Sequence, residues 1–210
     1  MWDPFPCKQK YISCMIPTKI TEKKLQLRSI YAERRFIEIH MTKIAIFGSA
    51  FNPPSFGHKS VIQSLNHFDK VLLIPSISHA WGKSMLDYSI RCQLVDMFIS
   101  DIGQENVERS NIEESLYEPG QSVTTFAVLE ALEKRYPEAE LTFVVGPDNF
   151  FSFNKFYRAQ DIVERWSILA CPEKVKIRST TIRYSLSQGL NVDHLTTLSV
   201  AQHLVAHKLY

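Results

Sequence analysis

The chain has 210 residues, 45% of them apolar and 22% charged, enough for one domain with a substantial core. Its formal charge of +2 is uneven: residues 1–40 hold eight Lys/Arg and four Asp/Glu, leaving sixteen against eighteen in residues 41–210. The larger part is therefore not basic, which argues against a nucleic-acid polymer as partner, and no run of 18 apolar residues suits a membrane-spanning helix.

Residues 1–40 mix Pro4, Pro6 and Pro17 with basic residues, show no sustained periodicity and lack the apolar stretch of a signal peptide. They read as an N-terminal extension with Met41 the expected native start; a genuine arm is the alternative, with a short helix over residues 28–39. From Met41 an alternating pattern begins. Ile44-Ala45-Ile46-Phe47 predicts a strand, followed by a Pro-rich loop and a helix over 57–67. Val71-Leu72-Leu73-Ile74 predicts a second strand. A helix over 87–102 is marked by Ile90, Leu94 and Phe98 at i, i+4, i+8. Residues 107–112 read as a polar strand and 122–135 as a helix with Val128, Ala131 and Leu132 along one stripe. Strands over 141–145 and 167–170 follow, then helices over 180–187 and 196–206.

Short apolar strands alternating with helices predict an α/β fold, a doubly wound parallel sheet of about five strands with helices on both faces. Such sheets bind ligands outside the carboxyl ends of their strands, near the switch point of strand order. The unusual residues of this chain gather at those ends: 48–58, 76–83, 146–149 and 178–183. Cys7, Cys14, Cys92 and Cys171 lack close pairing or finger spacing and read as free thiols of a cytoplasmic protein. The seven histidines are scattered, and no protein-held transition metal is expected.

Neither Gly-x-Gly-x2-Gly nor Gly-x4-Gly-Lys-[Ser/Thr] occurs, so a dinucleotide dehydrogenase and a P-loop hydrolase lose ground. The first strand runs instead into Phe47-Gly48-Ser49-Ala50-Phe51-Asn52-Pro53-Pro54-Ser55-Phe56-Gly57-His58. Gly48 permits close backbone approach, and Gly57 permits tight packing where the helix begins. His58 falls in the first helical turn, where free N–H groups and the positive dipole end favour phosphate. An imidazole donor there can stabilise charge growing on a transferring phosphoryl group. The plainer reading makes Ser55 an ordinary N-cap and His58 a surface residue. A second segment, Arg178-Ser179-Thr180-Thr181-Ile182-Arg183, sets hydroxyls at a helix start, with Ser179 the expected N-cap and Arg183 a forked cation one turn on.

The Gly-Ser-x-Phe-Asn-Pro-x3-Gly-His segment resembles the phosphate loop of the nucleotidyltransferase superfamily, whose usual form is [His/Thr]-x-Gly-His. The segment ending at Arg183 resembles its second signature, Ile-Ser-x-Thr-x2-Arg. More narrowly, Gly146-Pro147-Asp148-Asn149, Lys83 with Arg91, and the closing His207-Lys208-Leu209-Tyr210 make residues 41–210 similar to bacterial nicotinate or nicotinamide mononucleotide adenylyltransferases. The sequence departs from the pattern at Ser55, where His or Thr is usual, at Arg178, where Ser is usual, at residues 123–128, which retain mainly Thr124, and at Phe156-Tyr157, where Trp opens the aromatic pair.

The resemblance implies a Rossmann-like fold and adenylyl transfer from ATP, with Mg2+ carried on the triphosphate. Gly48, Ser49, Ala50, Phe51, Gly57 and His58 would line ATP, with His58, Ser55 and Arg183 closest to the chemistry. Ser179, Thr180 and Arg183 would hold the β,γ-phosphates, and Asp148 the ribose or the acceptor. Lys83, Arg91 and Thr124 would meet the acceptor. Phe156, Tyr157 and Trp81 would offer stacking surfaces for its pyridine ring, while Phe150 and Phe153 are expected to fill the core and His79 to be structural. Two other readings stay open: another phosphorylated acceptor such as phosphopantetheine, and a non-catalytic nucleotide-sensing module. A homo-oligomer is compatible with the sequence.

Overall fold

The structure, a computed structural model, describes residues 41–78 and 85–210. The extension, its expected helix, His79, Trp81 and Lys83 lie outside these residues. Five parallel strands form one sheet: β1 (Thr42–Ser49), β2 (Lys70–Pro75), β3 (Val107–Arg109), β4 (Ala139–Val145) and β5 (Ser167–Ala170), in the order β3-β2-β1-β4-β5. The chain winds outward from β1 to β3, then returns to β1's other side for β4 and β5. The switch point therefore lies between the carboxyl ends of β1 and β4.

Eight helices accompany the strands among the described residues: α1 (Phe56–Gln63), α2 (Tyr88–Ile102), α3 (Ile112–Leu116), α4 (Thr125–Arg135), α5 (Pro147–Phe151), α6 (Ala159–Arg165), α7 (Ser179–Ser187) and α8 (Leu198–Ala206), with a 3-10 turn over Phe153–Lys155. None is long and apolar enough to cross a membrane.

The period-two alternation of the strands sorts their side chains into two cores. On one face Ala45, Phe47, Val71, Leu73 and Val144 pack with Ile62 of α1, Leu94, Val95 and Phe98 of α2, Ile182 of α7 and Leu204 of α8. On the other, Ile44, Ile46, Leu72, Ile74, Phe143 and Val145 pack with Leu129 and Leu132 of α4, Ile162 of α6 and Trp166. Both faces being covered, the strands read as continuous apolar runs.

The sequence reading located four of these strands within two residues, ran the third past its end and mistook some helix ends. The helix expected to reach residue 67 stops at Gln63, and residues 64–68 close in turns bonded to Val61, Ile62 and Leu65 carbonyls. The polar strand ends at Arg109; Ile112–Leu116, partly read as strand, is helical, with Glu113 and Glu114 favourably placed in its first turn. The helix expected from 122 starts at Thr125, capped by Thr124 Oγ1 accepting the Ala127 N–H at 3.2 Å. The short helices α5 and α6 lack the length to show a period.

Gly57 is where α1 meets the segment before α7. A Cβ there would stand 2.2 Å from the Ile177 carbonyl oxygen, closer than any relaxed contact. Gly57→Ala is expected to lose about 1–3 kcal/mol, read as a fall of several degrees in Tm; an unchanged Tm would show that the two segments separate freely.

Candidate active site

The loop leaving β1 turns four of its carbonyls toward the protein, where each of the four meets a donor brought from far away. Arg91 Nη1 of α2 donates to Ala50 O at 2.7 Å, Arg183 Nη1 of α7 to Asn52 O at 2.8 Å, Ser179 Oγ to Pro53 O at 2.7 Å and Thr196 Oγ1 to Pro54 O at 2.9 Å. Asn52 Oδ1 accepts the Leu86 N–H at 3.1 Å and the Tyr210 hydroxyl. The Asn52–Pro53 peptide is cis, and Phe51 holds φ of 44°, a left-handed conformation costing a non-glycine residue about 1–2 kcal/mol. Complete burial of its ring, edge-on to Phe47 at 5.8 Å and tilted over His58 at 4.9 Å, offsets that strain.

The same loop delivers His58 to the third position of α1, behind the N-cap Ser55. The Ser55 N–H donates to His58 Nδ1 at 3.0 Å, so the ring fills the place a glutamate takes in a capping box. With Nδ1 accepting, the ring proton sits on Nε2, facing Ser49 Oγ at 3.1 Å. Burial pushes the imidazole down from 6.5 to about 4, so at neutral pH His58 is an uncharged N–H donor. Ser55, 1% exposed, sends its hydroxyl to Ile177 O at 2.9 Å and stands 2.9 Å from His58 Nδ1. It is both the N-cap of the plainer reading and the neighbour of the ring.

A Cβ added at Gly48 or Gly146 would meet nothing within 4 Å. These residues lie at the ends of β1 and β4, so the space above the switch point is open on both sides. The start of α7 faces the same loop through Ser179 and Arg183. Ser179 is not the N-cap that the sequence suggested: Arg178 is, and Ser179 uses its hydroxyl on Pro53. Thr180 lies in the first turn, exposed, where N–H groups lack intrahelical partners. Arg183 is half-buried, its guanidinium 6.0 Å from the Tyr210 ring centre. Asp148, in the first turn of α5, pairs with Arg178 at 2.8 Å, and Arg178 also grips Glu173 at 2.9 and 3.1 Å. Two carboxylates hold the Arg178 guanidinium above its ordinary range.

The residues expected at the acceptor fare differently. Arg91 is 1% exposed and spends its guanidinium on Leu86 O at 2.9 Å and Ala50 O. It braces the loop from inside and does not reach outward to a phosphate. Thr124 is the cap of α4. Phe156 stacks on Phe153 at 5.0 Å and meets Phe143 edge-on, so it belongs to the core. Tyr157 is 64% exposed, while Phe150, expected in the core, is 50% exposed beside Phe151 at 85%.

The site reading passed over Asn52, Glu113 and Tyr210. Glu113 is buried, accepts the Ile77 N–H at 2.7 Å and is pushed up to about 7 by desolvation. Nothing in the residues just after the expected strand marks such a residue, whereas Asn52 and Tyr210 lie inside the motifs that carry the resemblance. His203 of α8 and His207 at its C-cap, four residues apart with rings stacked at 4.1 Å, form a pair that the scattered reading overlooked. Among the described residues no three His, Cys, Asp or Glu side chains gather as a metal site.

A five-stranded doubly wound sheet with an open switch point, a neutral histidine on a helix N-terminus and a second helix bearing Arg183 defines a nucleotide-binding α/β protein without a P-loop. The cytidylyltransferase-like family model matches residues 46–187, and the chain belongs to that family of nucleotidyltransferases. A curated relative from Desulfotalea psychrophila, named probable nicotinate-nucleotide adenylyltransferase, is 25% identical over 154 residues, 71% of this chain and 72% of its own. A solved structure from Vibrio parahaemolyticus, described as a candidate nicotinate-nucleotide adenylyltransferase, is 60% identical with a TM-score of 0.72, covering 79% of this chain and 99% of the other. The Plasmodium falciparum nicotinic acid mononucleotide adenylyltransferase complexed with NaAD shares the fold at 13% identity and a TM-score of 0.66, covering 80% and 97%.

His58 carries a direct test of this geometry. Its Cε1–H NMR signal is expected to titrate near pH 4, not near 6.5. The unfolded chain takes up that proton near 6.5 and the folded one only near 4, so acidification through this window draws stability from the fold. The contribution is fully present above 6.5. A midpoint above 6 would mean an open, water-filled ring site.

Proposed function

We propose that this chain transfers the adenylyl group of ATP to nicotinate mononucleotide, forming the dinucleotide and pyrophosphate. The observation that carries the reading is the pairing of a neutral His58 Nε2–H with the start of α7 around one loop, at the switch point of a family member's sheet. The named relatives supply the pyridine nucleotide as acceptor.

An acceptor phosphate oxygen attacks the α-phosphorus in line, the bond to the bridging oxygen breaks, and pyrophosphate leaves with that oxygen. No protein nucleophile is required, so the chain contributes position and charge neutralisation. His58 donates Nε2–H to an α-phosphate oxygen, exchanging its Ser49 partner for the substrate. An uncharged donor of low basicity keeps its proton throughout, and its bond strengthens as charge grows on the phosphoryl oxygens. Arg183 spends one guanidinium hydrogen on Asn52 O and directs others toward the β,γ-phosphates, with the N–H groups of Ser179 and Thr180 beside it. The Ser179 hydroxyl serves the loop. MgATP would be the substrate, its ion held mostly by phosphate and water oxygens.

On the acceptor side, Thr124, Lys83, Trp81 and the exposed Tyr157 remain candidates for phosphate and ring contacts. Asp148 reaches a ribose hydroxyl with its second carboxylate oxygen while Arg178 holds the first.

With ATP, Mg2+ and nicotinate mononucleotide, the protein is expected to release pyrophosphate in step with acceptor use. His58→Ala is expected to lower kcat by about 10²–10³ with the fold intact by circular dichroism. ATP binding with no pyrophosphate from nicotinate or nicotinamide mononucleotide would overturn the assignment and favour a sensing module. Release with phosphopantetheine alone would redirect it. Arg183→Lys, which loses the fork but keeps the charge, is expected to raise KM for ATP about tenfold; an unchanged KM would remove Arg183 from the triphosphate.

A further inference from the structure

Tyr210 is separated from Asn52 by 158 residues, yet its hydroxyl donates to the Asn52 side-chain oxygen. It is held in place from behind: Leu209 donates its N–H to Leu204 O of α8 at 3.0 Å, and both Leu209 and Tyr210 pack against the α1–α2–α7–α8 core. Burial raises the phenol's pKa, so the group is a proton donor at neutral pH.

Asn52 is 5% exposed and bonds in three directions. Its side-chain oxygen takes the Tyr210 hydroxyl and the Leu86 N–H just before α2; its backbone oxygen takes Arg183. The Tyr210 ring also lies 6.0 Å from the Arg183 guanidinium. One phenol therefore touches the phosphate loop through Asn52 and α7 through Arg183, and Leu86 brings the segment leading into α2 to the same oxygen. An amide oxygen offers two lone pairs, and here both are used. Removing one donor leaves a buried acceptor half-satisfied and frees the Asn52 amide to rotate away from Leu86.

We propose that Tyr210 is a positioning residue for adenylyl transfer: its hydroxyl fixes Asn52, and Asn52 fixes the loop backbone that aims His58 at the transferring phosphate and Arg183 at the departing ones. The role rests on the adenylyl-transfer reading for its activity readout. Tyr210 touches neither substrate nor reacting atoms; it acts on the relative placement of two groups that do. Loss of the hydroxyl alone should therefore reduce turnover more than ATP binding.

The experiment is a double-mutant cycle of Tyr210→Phe and Asn52→Ala, with kcat and KM for ATP, Tm, and the His58 Cε1–H resonance recorded for each protein. Tyr210→Phe is expected to lower kcat about tenfold, one hydrogen bond's worth of alignment. KM for ATP should stay within about twofold, Tm should change little, and the His58 resonance should shift. Once Asn52 is alanine, Tyr210→Phe should cost nothing more. Full activity of Tyr210→Phe with an unmoved His58 signal, or losses that multiply independently, would overturn the proposal. Should Asn52→Ala not fold, the kcat-to-KM split and the His58 shift of Tyr210→Phe decide it alone. A wild-type chain without turnover on any pyridine mononucleotide would sink the adenylyl reading, while the His58 resonance would still test the positioning.

Discussion

A loop that buries its carbonyls must find donors for them, because an unpaired backbone oxygen in the interior costs about 1–3 kcal/mol. In this protein the loop between β1 and α1 finds them on α2, on α7 and just before α8, and Arg91 supplies the deepest. Its guanidinium is 1% exposed and ends on two backbone oxygens. A buried cation with no partner of full negative charge is expensive, and desolvation pulls its pKa down while Glu113 and neighbouring groups oppose that pull. The expense is tolerable because the planar fork meets carbonyl dipoles at fixed angles. Everything the loop presents outward depends on this inward attachment.

Outwardly the arrangement separates charge from donation. His58 is neutral because burial disfavours the imidazolium, and its tautomer is set by the Ser55 N–H. The permanent charge comes from Arg183, which is only half-buried and one of whose nitrogens is tied to Asn52. The position next to α7 that carries Arg178 adds a second cation, already neutralised by Glu173 and Asp148. In the proposed reaction a polyphosphate at the switch point would meet an uncharged donor near the transferring phosphorus and a cation farther out, the order in which charge is needed when pyrophosphate departs.

The sheet was legible in the sequence because buried parallel strands must be apolar without interruption, as at Ile44–Phe47 and Val71–Ile74. The turn from β1 into α1 was legible because Gly57 lies against the Ile177 carbonyl and His58 bonds back to the Ser55 N–H at the helix start. What escaped was decided by tertiary contact. Arg91 looks like any helical arginine until α2 turns it beneath the loop. Phe150 and Phe156 are both phenylalanines of one segment, and only the path of the chain sends Phe156 onto Phe143 and leaves Phe150 at the surface. Asn52 and Tyr210 lie in segments that resemblance had marked, but a bond across 158 residues has no signature in local spacing.

The claim on which the account rests is that the loop is already shaped for its anion before any ligand arrives. A crystal structure of the protein with a non-hydrolysable ATP analogue, compared with the free protein in the same crystal form, tests it most directly. The account predicts that the backbone of residues 49–55 stays within about 1 Å, with the Ala50, Asn52, Pro53 and Pro54 carbonyls on their present donors and His58 Nε2 turned from Ser49 to the α-phosphate. A loop displaced by more than about 2 Å, with Arg91 or Arg183 released from its carbonyl, would contradict it.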